Sequence, residues 1–351
     1  MNTRSKIAVV ALAGLVAGVL LLSSLIEKRT PSTDARSTVS VASTKVKSEA
    51  ASSLSAHARM TTGTSKAELS PSDWTIKFRA SKDYLSFVKE ALPAAEAGDA
   101  RANWYIGEVL SACALVMKTY HGVADPDAQL NQELASMPNA PQWTRDLLEQ
   151  KTRRCLGLAN DDPLAALPQR NGGYRSAYWQ QQALDLGDPL AQVRAASDAI
   201  AKVLVTPRMS AAEKSDQLKS ADTQLRAAVE SGDPDALYYA GTLMSDGRYF
   251  DDPLNGIALA LASCDLGRDC SAANPENSFA NCKVSGACPA NADYAYFLQQ
   301  SLGADKYAQV YARAQQIEQA ARSGDWNTVS SSLKLGADGG GTPAASEPAS
   351  S

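Results

Sequence analysis

A ten-residue segment of this chain occurs twice with the same pattern of small, acidic and aromatic residues. The segment 98–107 reads GDARANWYIG and the segment 232–241 reads GDPDALYYAG. Weaker copies begin at 187 and at 324, each with the dipeptide Gly-Asp. Such self-similarity predicts a repeat architecture, in which a unit buries its apolar face only by stacking on its neighbours. The signature positions are Gly98, Ala102, Tyr105, Gly107, Gly187, Ala191, Gly232, Ala236, Tyr239 and Gly241.

A second motif predicts where the partner helices begin. The sequence DDPL stands at 161–164 and again at 251–254, and each copy precedes an alanine-rich segment that ends in Leu-Gly. Asp before Pro caps the start of a helix, and glycine ends one. Alternating β-branched and aromatic runs do not recur, whereas Ala, Leu, Gln, Arg and Glu dominate. We therefore predict an all-α fold of antiparallel helix hairpins stacked into a solenoid.

The pattern resembles Sel-like repeats (SLR), a branch of the tetratricopeptide superfamily. In that family helix A carries A-x2-Y-x-L-G or a variant, which Ala236, Tyr239 and Gly241 match. Helix B ends in A-x3-G, which Ala262 and Gly267 roughly match. The resemblance implies a superhelical scaffold that binds proteins or peptides, and it implies no chemistry of its own.

The resemblance covers only part of the chain. It is good over 228–270 and moderate over 94–113 and 161–200. Residues 167–174 form an insertion that lengthens one unit, and the segment 269–291 has no repeat character.

The N-terminal region contains a long apolar run. Residues 7–26 are all apolar or small apart from Ser23 and Ser24, and a helix of this length crosses a hydrocarbon core of about 30 Å. The run is longer than that of a usual cleaved signal peptide and continues into Glu-Lys-Arg. We predict that 1–29 comprises a cytoplasmic stub and a transmembrane signal anchor. The alternative is a cleaved signal that releases the chain into the periplasm.

Within this apolar run, Gly14 and Gly18 form a GxxxG step that lets two membrane helices approach closely. A homodimer through the membrane helix is therefore possible. Two basic residues and the N-terminal amine precede the run and two basic residues follow it, which slightly favours a cytoplasmic N-terminus.

Six cysteines lie in the region that we expect to fold, and an even number suits disulfides in an oxidising compartment. Their connectivity stays open, because six cysteines allow 15 pairings; pairing Cys113 with Cys155 would leave the other four to pair locally. Zinc is the alternative, although the x5 spacing departs from the usual C-x2–4-C pairs. We predict a single-pass inner-membrane protein with its body in the periplasm. The candidate disulfide residues are Cys113, Cys155, Cys264, Cys270, Cys282 and Cys288.

Composition divides the rest of the chain. Residues 30–70 are rich in Ser, Thr, Ala and Lys and contain no aromatic residue, so they cannot bury enough apolar surface to fold. We predict a flexible tether there, a helical repeat domain over 71–333 and a disordered tail over 334–351.

Catalytic signals are few. The chain has 2 histidines and lacks GxxxxGK[ST], GxSxG, HExxH and a helix-opening GxGxxG. The aspartate pairs at 161–162 and 251–252 fit helix capping, and His121 fits a loop or a helix end. Basic residues stand singly or in pairs, and the net charge of −4 does not favour nucleic acid. We predict no catalytic residue, cofactor or metal site, and no nucleic-acid partner.

Aromatic residues on the predicted repeat helices are candidates for a partner-binding face, because aromatic anchors dominate peptide recognition. These are Trp104, Tyr178, Trp179 and Tyr238. The sequence predicts a membrane-tethered scaffold for protein–protein interaction or assembly in a bacterial envelope. The alternative is an envelope hydrolase or peptidoglycan-binding enzyme, as in some cysteine-rich SLR proteins.

Overall fold

A computed structural model describes residues 71–165, 175–206, 208–245, 252–271, 274 and 293–331. Every regular element in these ranges is a helix, so the predicted all-α class is confirmed. The predicted anchor, tether and tail lie outside the described residues, as do Cys282 and Cys288. None of the described helices combines the length and the apolar character needed to cross a membrane.

The described helices follow one another with short connections. In chain order they are α1 (Asp73–Ala80), α2 (Tyr84–Glu96), α3 (Ala100–Tyr120), α4 (Pro126–Ala135), α5 (Gln142–Asn160), α6 (Arg175–Asp185), α7 (Pro189–Val205), α8 (Ala211–Glu230), α9 (Pro234–Met244), α10 (Pro253–Asp265), α11 (Tyr294–Leu302), α12 (Ala304–Ser323) and α13 (Trp326–Ser331).

Four helices begin at the repeated Gly-Asp dipeptide. The glycine has a positive φ, between 71° and 92°, which a residue with a Cβ adopts only at a cost. The aspartate side chain then accepts a hydrogen bond from a backbone N–H in the first turn of the next helix. These dipeptides are Gly98-Asp99 before α3, Gly187-Asp188 before α7, Gly232-Asp233 before α9 and Gly324-Asp325 before α13.

Each of α3, α7 and α9 packs closely on one partner helix, which is α6, α8 and α10 respectively. Gly241 of α9 and Gly256 of α10 lie in close contact. A Cβ on Gly241 would lie 2.6 Å from the Gly256 carbonyl oxygen and 2.5 Å from the backbone nitrogen of Ala260. In α3 the equivalent residue is Gly107, which faces Gln180 of α6. Glycine is therefore needed here for helix-to-helix distance, whereas at the helix starts it is needed for φ.

Two helices interrupt the first pair, because α4 and α5 stand between α3 and α6 in the chain. Helix α5 packs on α2 and α3, and the disulfide Cys113–Cys155 joins α3 to α5 with a Cα–Cα distance of 5.3 Å. The predicted insertion at 167–174 lies outside the described residues. The large addition to this unit is the α4–α5 pair, which the sequence analysis did not separate from the repeat.

The C-terminal helices extend the same core. Helix α12 packs on α10 and buries Val310, Ala314 and Ile317, which follow one another at helical spacing. It ends at Gly324, whose φ of 73° directs the chain into α13. Helix α13 packs on both α12 and α8, so the described end of the chain contacts an earlier hairpin.

Candidate functional site

Arg101 connects three helix starts. It lies in the first turn of α3, and its Nε donates to Oδ2 of Asp188 at 2.6 Å while its Nη2 donates to Oδ2 of Asp233 at 3.0 Å. The other carboxylate oxygen of each aspartate caps its own helix, α7 or α9. A single guanidinium therefore holds the starts of α3, α7 and α9 together.

Burial makes this cluster sensitive to the loss of a partner. Burial by itself lowers the pKa of Arg101, but the charges of Asp188 and Asp233 outweigh it and the net pKa is raised. Burial also raises the pKa of Asp188, because desolvation outweighs the charge of Arg101. Each charge has lost solvent, so removing one partner leaves the others uncompensated in a medium of low dielectric constant.

A second charged cluster surrounds Asp235, also in the first turn of α9. Asp235 is 1% exposed and forms ion pairs with Arg79 of α1 and Arg268, which follows α10. The Arg268 guanidinium lies 3.7 Å from the ring centroid of Tyr238 and 5.1 Å from that of Tyr239. The start of α9 is thereby tied to α1 on one side and to the chain after α10 on the other.

Beyond the two charged clusters, a groove of about 380 Å³ opens between α1, α3, α7 and α9. Its lining repeats from helix to helix. The seventh residue after the repeat glycine lines it in α3, α7 and α9, as does the tenth. The first row is Tyr105, Arg194 and Tyr239, and the second row is Glu108, Ser197 and Thr242.

The two rows differ in chemistry. The first row offers ring faces and a guanidinium, and Tyr239 is the most open of its aromatic members at 37% exposed. Burial raises the pKa of Tyr105, whose hydroxyl stays protonated and donates to Thr75 Oγ1 at 2.8 Å. The second row carries carboxylate and hydroxyl groups, and Glu108 accepts from Gln180 Nε2 at 2.9 Å. The groove thus sets a row of two tyrosines and one arginine beside this polar row.

The four aromatic partner candidates lie in different surroundings. Trp104 lines the groove but is only 7% exposed, and Trp179 is 5% exposed within the hydrophobic core. Tyr178 and Tyr238 are half-buried, with Tyr238 packed between Arg268 and Tyr294. Among these candidates the structure places Trp104 alone on the groove, and a partner contact by any of them stays a prediction.

The sequence predicts Tyr239 as a repeat-signature residue and Tyr238 as a residue of the partner face. The structure gives the groove position to Tyr239 and the inward position to Tyr238. Two adjacent tyrosines on a helix differ in direction by about 100°, so the choice depends on which neighbour covers which side. Comparing Tyr239 with Tyr105 and Arg194 at the same repeat offset would have identified the groove row.

The buried charges were not predicted from the sequence. Arg101 and Asp235 occupy the same offset, three residues after the repeat glycine, where α7 has Leu190. A charged residue at an offset that is apolar in another copy is the sequence signal that could have identified both buried charges. The partners of Arg101, Asp188 and Asp233, were recognised in the sequence only as part of the Gly-Asp dipeptides.

Four of the six candidate disulfide residues are described, and they form Cys113–Cys155 and Cys264–Cys270. The second pair occupies two of the cysteines that the zinc alternative required. His121 follows the last residue of α3, and its Nδ1 lies 3.0 Å from the carbonyl oxygen of Ala159. It therefore joins the end of α3 to the end of α5.

Comparison of the chain with protein-family models, with curated proteins and with solved structures finds no match in any of the three.

Proposed function

We propose that this protein is a helical-repeat scaffold whose groove binds an extended segment of a partner protein. In this proposal α3–α6, α7–α8 and α9–α10 are SLR-like hairpins of a short solenoid, with α4 and α5 inserted in the first. The observation that carries it is the repetition of groove-lining positions in three helices. A surface assembled from equivalent positions suits an elongated ligand that crosses several repeats.

The chemistry of the groove favours a peptide as the occupant. An extended peptide needs hydrogen-bond partners for its main chain and apolar pockets for alternate side chains. Glu108, Ser197 and Thr242 supply the polar row, and Tyr239 with Leu243 supplies ring and aliphatic surface. The volume of about 380 Å³ falls at the lower end of ordinary ligand sites. We infer a segment with one aliphatic or aromatic anchor, held at its main chain.

The proposed location is the periplasmic face of a bacterial inner membrane, with 7–26 as the anchor and 30–70 as the tether. Two disulfides within the described residues support an oxidising compartment. A phosphatase that is active only outside the cytoplasm, fused after residue 351, should be active in cells. The same fusion lacking 1–29 should be inactive.

Selection and affinity measurement test the binding role directly. Random peptides displayed on phage are selected against the oxidised full-length protein, and the enriched peptides are synthesised with a fluorophore for anisotropy titration. Tyr239→Ala should weaken binding about tenfold, the effect of removing an aromatic anchor. The matched control is Tyr296→Ala, because Tyr296 is similarly exposed at 43% but does not line the groove. Equal affinity for both variants would reject the groove as the binding site.

Native capture then identifies the partner. A photo-reactive residue replaces Tyr239 in one strain and Tyr296 in another, and cross-linked peptides are mapped by mass spectrometry. The proposal requires a captured segment that is specific to position 239 and that competes with the selected peptides. A segment captured equally at both positions does not meet this requirement.

A further inference from the structure

The two described disulfides differ in exposure. Cys113 and Cys155 are buried between α3 and α5. Cys264 and Cys270 are half-buried, where the chain leaves the last turn of α10. An attacking thiolate must reach a sulfur atom along the S–S axis, so the greater solvent exposure of Cys264 and Cys270 favours reaction at this second pair.

The Cys264–Cys270 disulfide encloses Arg268. These cysteines are separated by six positions, and the side chain of Arg268 between them is completely buried. The backbone N–H of Arg268 donates to Ser263 O at 3.0 Å, which continues the end of α10. The disulfide therefore closes a short loop that directs one arginine into the protein.

Arg268 contacts α9, the helix whose Tyr239 lines the groove. It pairs with Asp235, and its guanidinium lies 5.1 Å from the ring centroid of Tyr239, a groove residue. Asp235 also pairs with Arg79, another residue of the lining. A continuous set of contacts thus runs from the disulfide to both sides of the groove.

We propose that Cys264–Cys270 is a thiol–disulfide exchange site through which a dithiol regulates the groove. One thiolate of the dithiol attacks a sulfur of the pair, which breaks the S–S bond and forms a mixed disulfide. The second thiolate of the dithiol then attacks the mixed disulfide and leaves the protein with two thiols. The dithiol is oxidised to a disulfide, and its two electrons and two protons pass to Cys264 and Cys270.

Reduction removes the constraint that holds the Arg268 loop. A cross-linked loop has fewer conformations than an open one, so the reduced loop releases Arg268 more easily. Asp235 and Tyr239 then lose a contact that fixes the first turns of α9. We expect peptide affinity to fall at least about fivefold, the lower end of typical coupling between sites. This effect on affinity rests on the proposed peptide binding, whereas exchange and loosening of α9 do not.

A redox titration of the full-length protein tests the site. The protein is equilibrated in mixtures of reduced and oxidised dithiothreitol, free thiols are alkylated, and mass spectrometry reads each cysteine separately. We expect alkylation of Cys264 and Cys270 under conditions in which Cys113 and Cys155 stay paired. In the same samples, backbone hydrogen exchange should accelerate in α9 but not in α5. Simultaneous reduction of both pairs, or unchanged exchange in α9, would overturn the proposal.

A double variant separates this proposal from the peptide-binding one. Cys264→Ser with Cys270→Ser should bind the selected peptide weakly in oxidising buffer and show no further response to dithiothreitol. Wild-type affinity in this variant rejects regulation by the disulfide. If the oxidised wild type selects no peptide, the binding function fails, and exchange in α9 still decides the redox proposal. If the variant does not fold, the wild-type titration decides it in the same way.

Discussion

Arg101 and Asp188 lie 87 positions apart in the chain, and the Arg101 Nε is 2.6 Å from Asp188 Oδ2. Asp188 is itself the N-cap of α7, and the second contact of Arg101 reaches Asp233, the N-cap of α9. Each aspartate thus stabilises a local helix start and also binds a distant cation. Because each aspartate makes both contacts, the first turns of α3, α7 and α9 are held together.

Arg101→Met should destabilise the protein by about 3–5 kcal/mol, because the buried Asp188 and the partly buried Asp233 lose their cation. Arg194→Met is the matched control, since Arg194 forms an exposed i,i+4 pair with Asp198 and its loss should cost at most about 1 kcal/mol. Urea unfolding of both variants measures the difference. Similar losses of stability in the two variants would contradict the role of the Arg101 ion pairs in holding the three helix starts together.

Gly241→Ala should destabilise by about 1–3 kcal/mol, because the added methyl group meets backbone atoms of α10. Gly107→Ala should cost less. Its methyl group would lie 2.7 Å from Gln180 Cγ, a side-chain atom that can move, and its nearest backbone contacts are at 3.2 Å, against 2.5–2.6 Å for Gly241. Thermal unfolding in oxidising buffer measures both losses of stability. A larger loss for Gly107→Ala than for Gly241→Ala would contradict the close approach of α9 and α10.

Removal of the disulfide between α3 and α5 should weaken the attachment of α5. Its cysteines are separated by 42 positions, and the chain-entropy model gives about 4 kcal/mol for a loop of that size. Cys113→Ala with Cys155→Ala should speed hydrogen exchange in α4 and α5 more than in α9. Uniform acceleration would instead indicate that α5 unfolds only with the whole protein.

The start of α8 should depend on pH through Glu213. Hydrogen bonds from the backbone N–H and hydroxyl of Ser210 lower the pKa of Glu213 below its ordinary value. A lowered pKa adds stability above the pKa of the unfolded chain, and this stability is lost as pH falls through the folded pKa. Glu213→Ala should therefore differ from wild type at neutral pH and converge with it in acid.

Ser210→Ala removes the hydroxyl that donates to Glu213 but keeps the backbone N–H, which is the larger cause of the lowered pKa, so it should reduce the same pH dependence only in part. Hydrogen exchange in the first turn of α8, measured across the acid range, checks both variants. A difference between wild type and Glu213→Ala that persists in acid would contradict the role of the ionised carboxylate.

Local chemistry explains why the helix starts could be predicted. The Gly-Asp dipeptide by itself favours the end of one helix and the start of the next, since glycine adopts a positive φ and aspartate caps the following turn. Asp252 before Pro253 acts in the same way at α10, where Asp252 Oδ1 accepts from the backbone N–H of Leu254. These interactions span three residues or fewer and need no distant neighbour.

The groove and the two charged clusters around Arg101 and Asp235 could not be predicted from such local signals. Arg101 pairs with Asp188 and Asp233 only because helix packing brings the starts of α7 and α9 next to it. The surroundings of Tyr238 and Tyr239 differ because Arg268 packs against the Tyr238 ring. The pairing of Cys113 with Cys155 likewise required α5 to pack on α3.

The sequence by itself therefore determined the all-α class, the helix starts at the four Gly-Asp dipeptides and at Asp252, and the cysteines available for pairing. At the other DDPL copy, the described residues 163–165 form a turn. Only the tertiary structure decided which charges meet, which cysteines pair and which aromatic residues face the groove. Capping and backbone preference act within one turn of a helix. Ion pairs, disulfides and groove walls join residues that are distant in the chain, and those contacts exist only once the helices have packed.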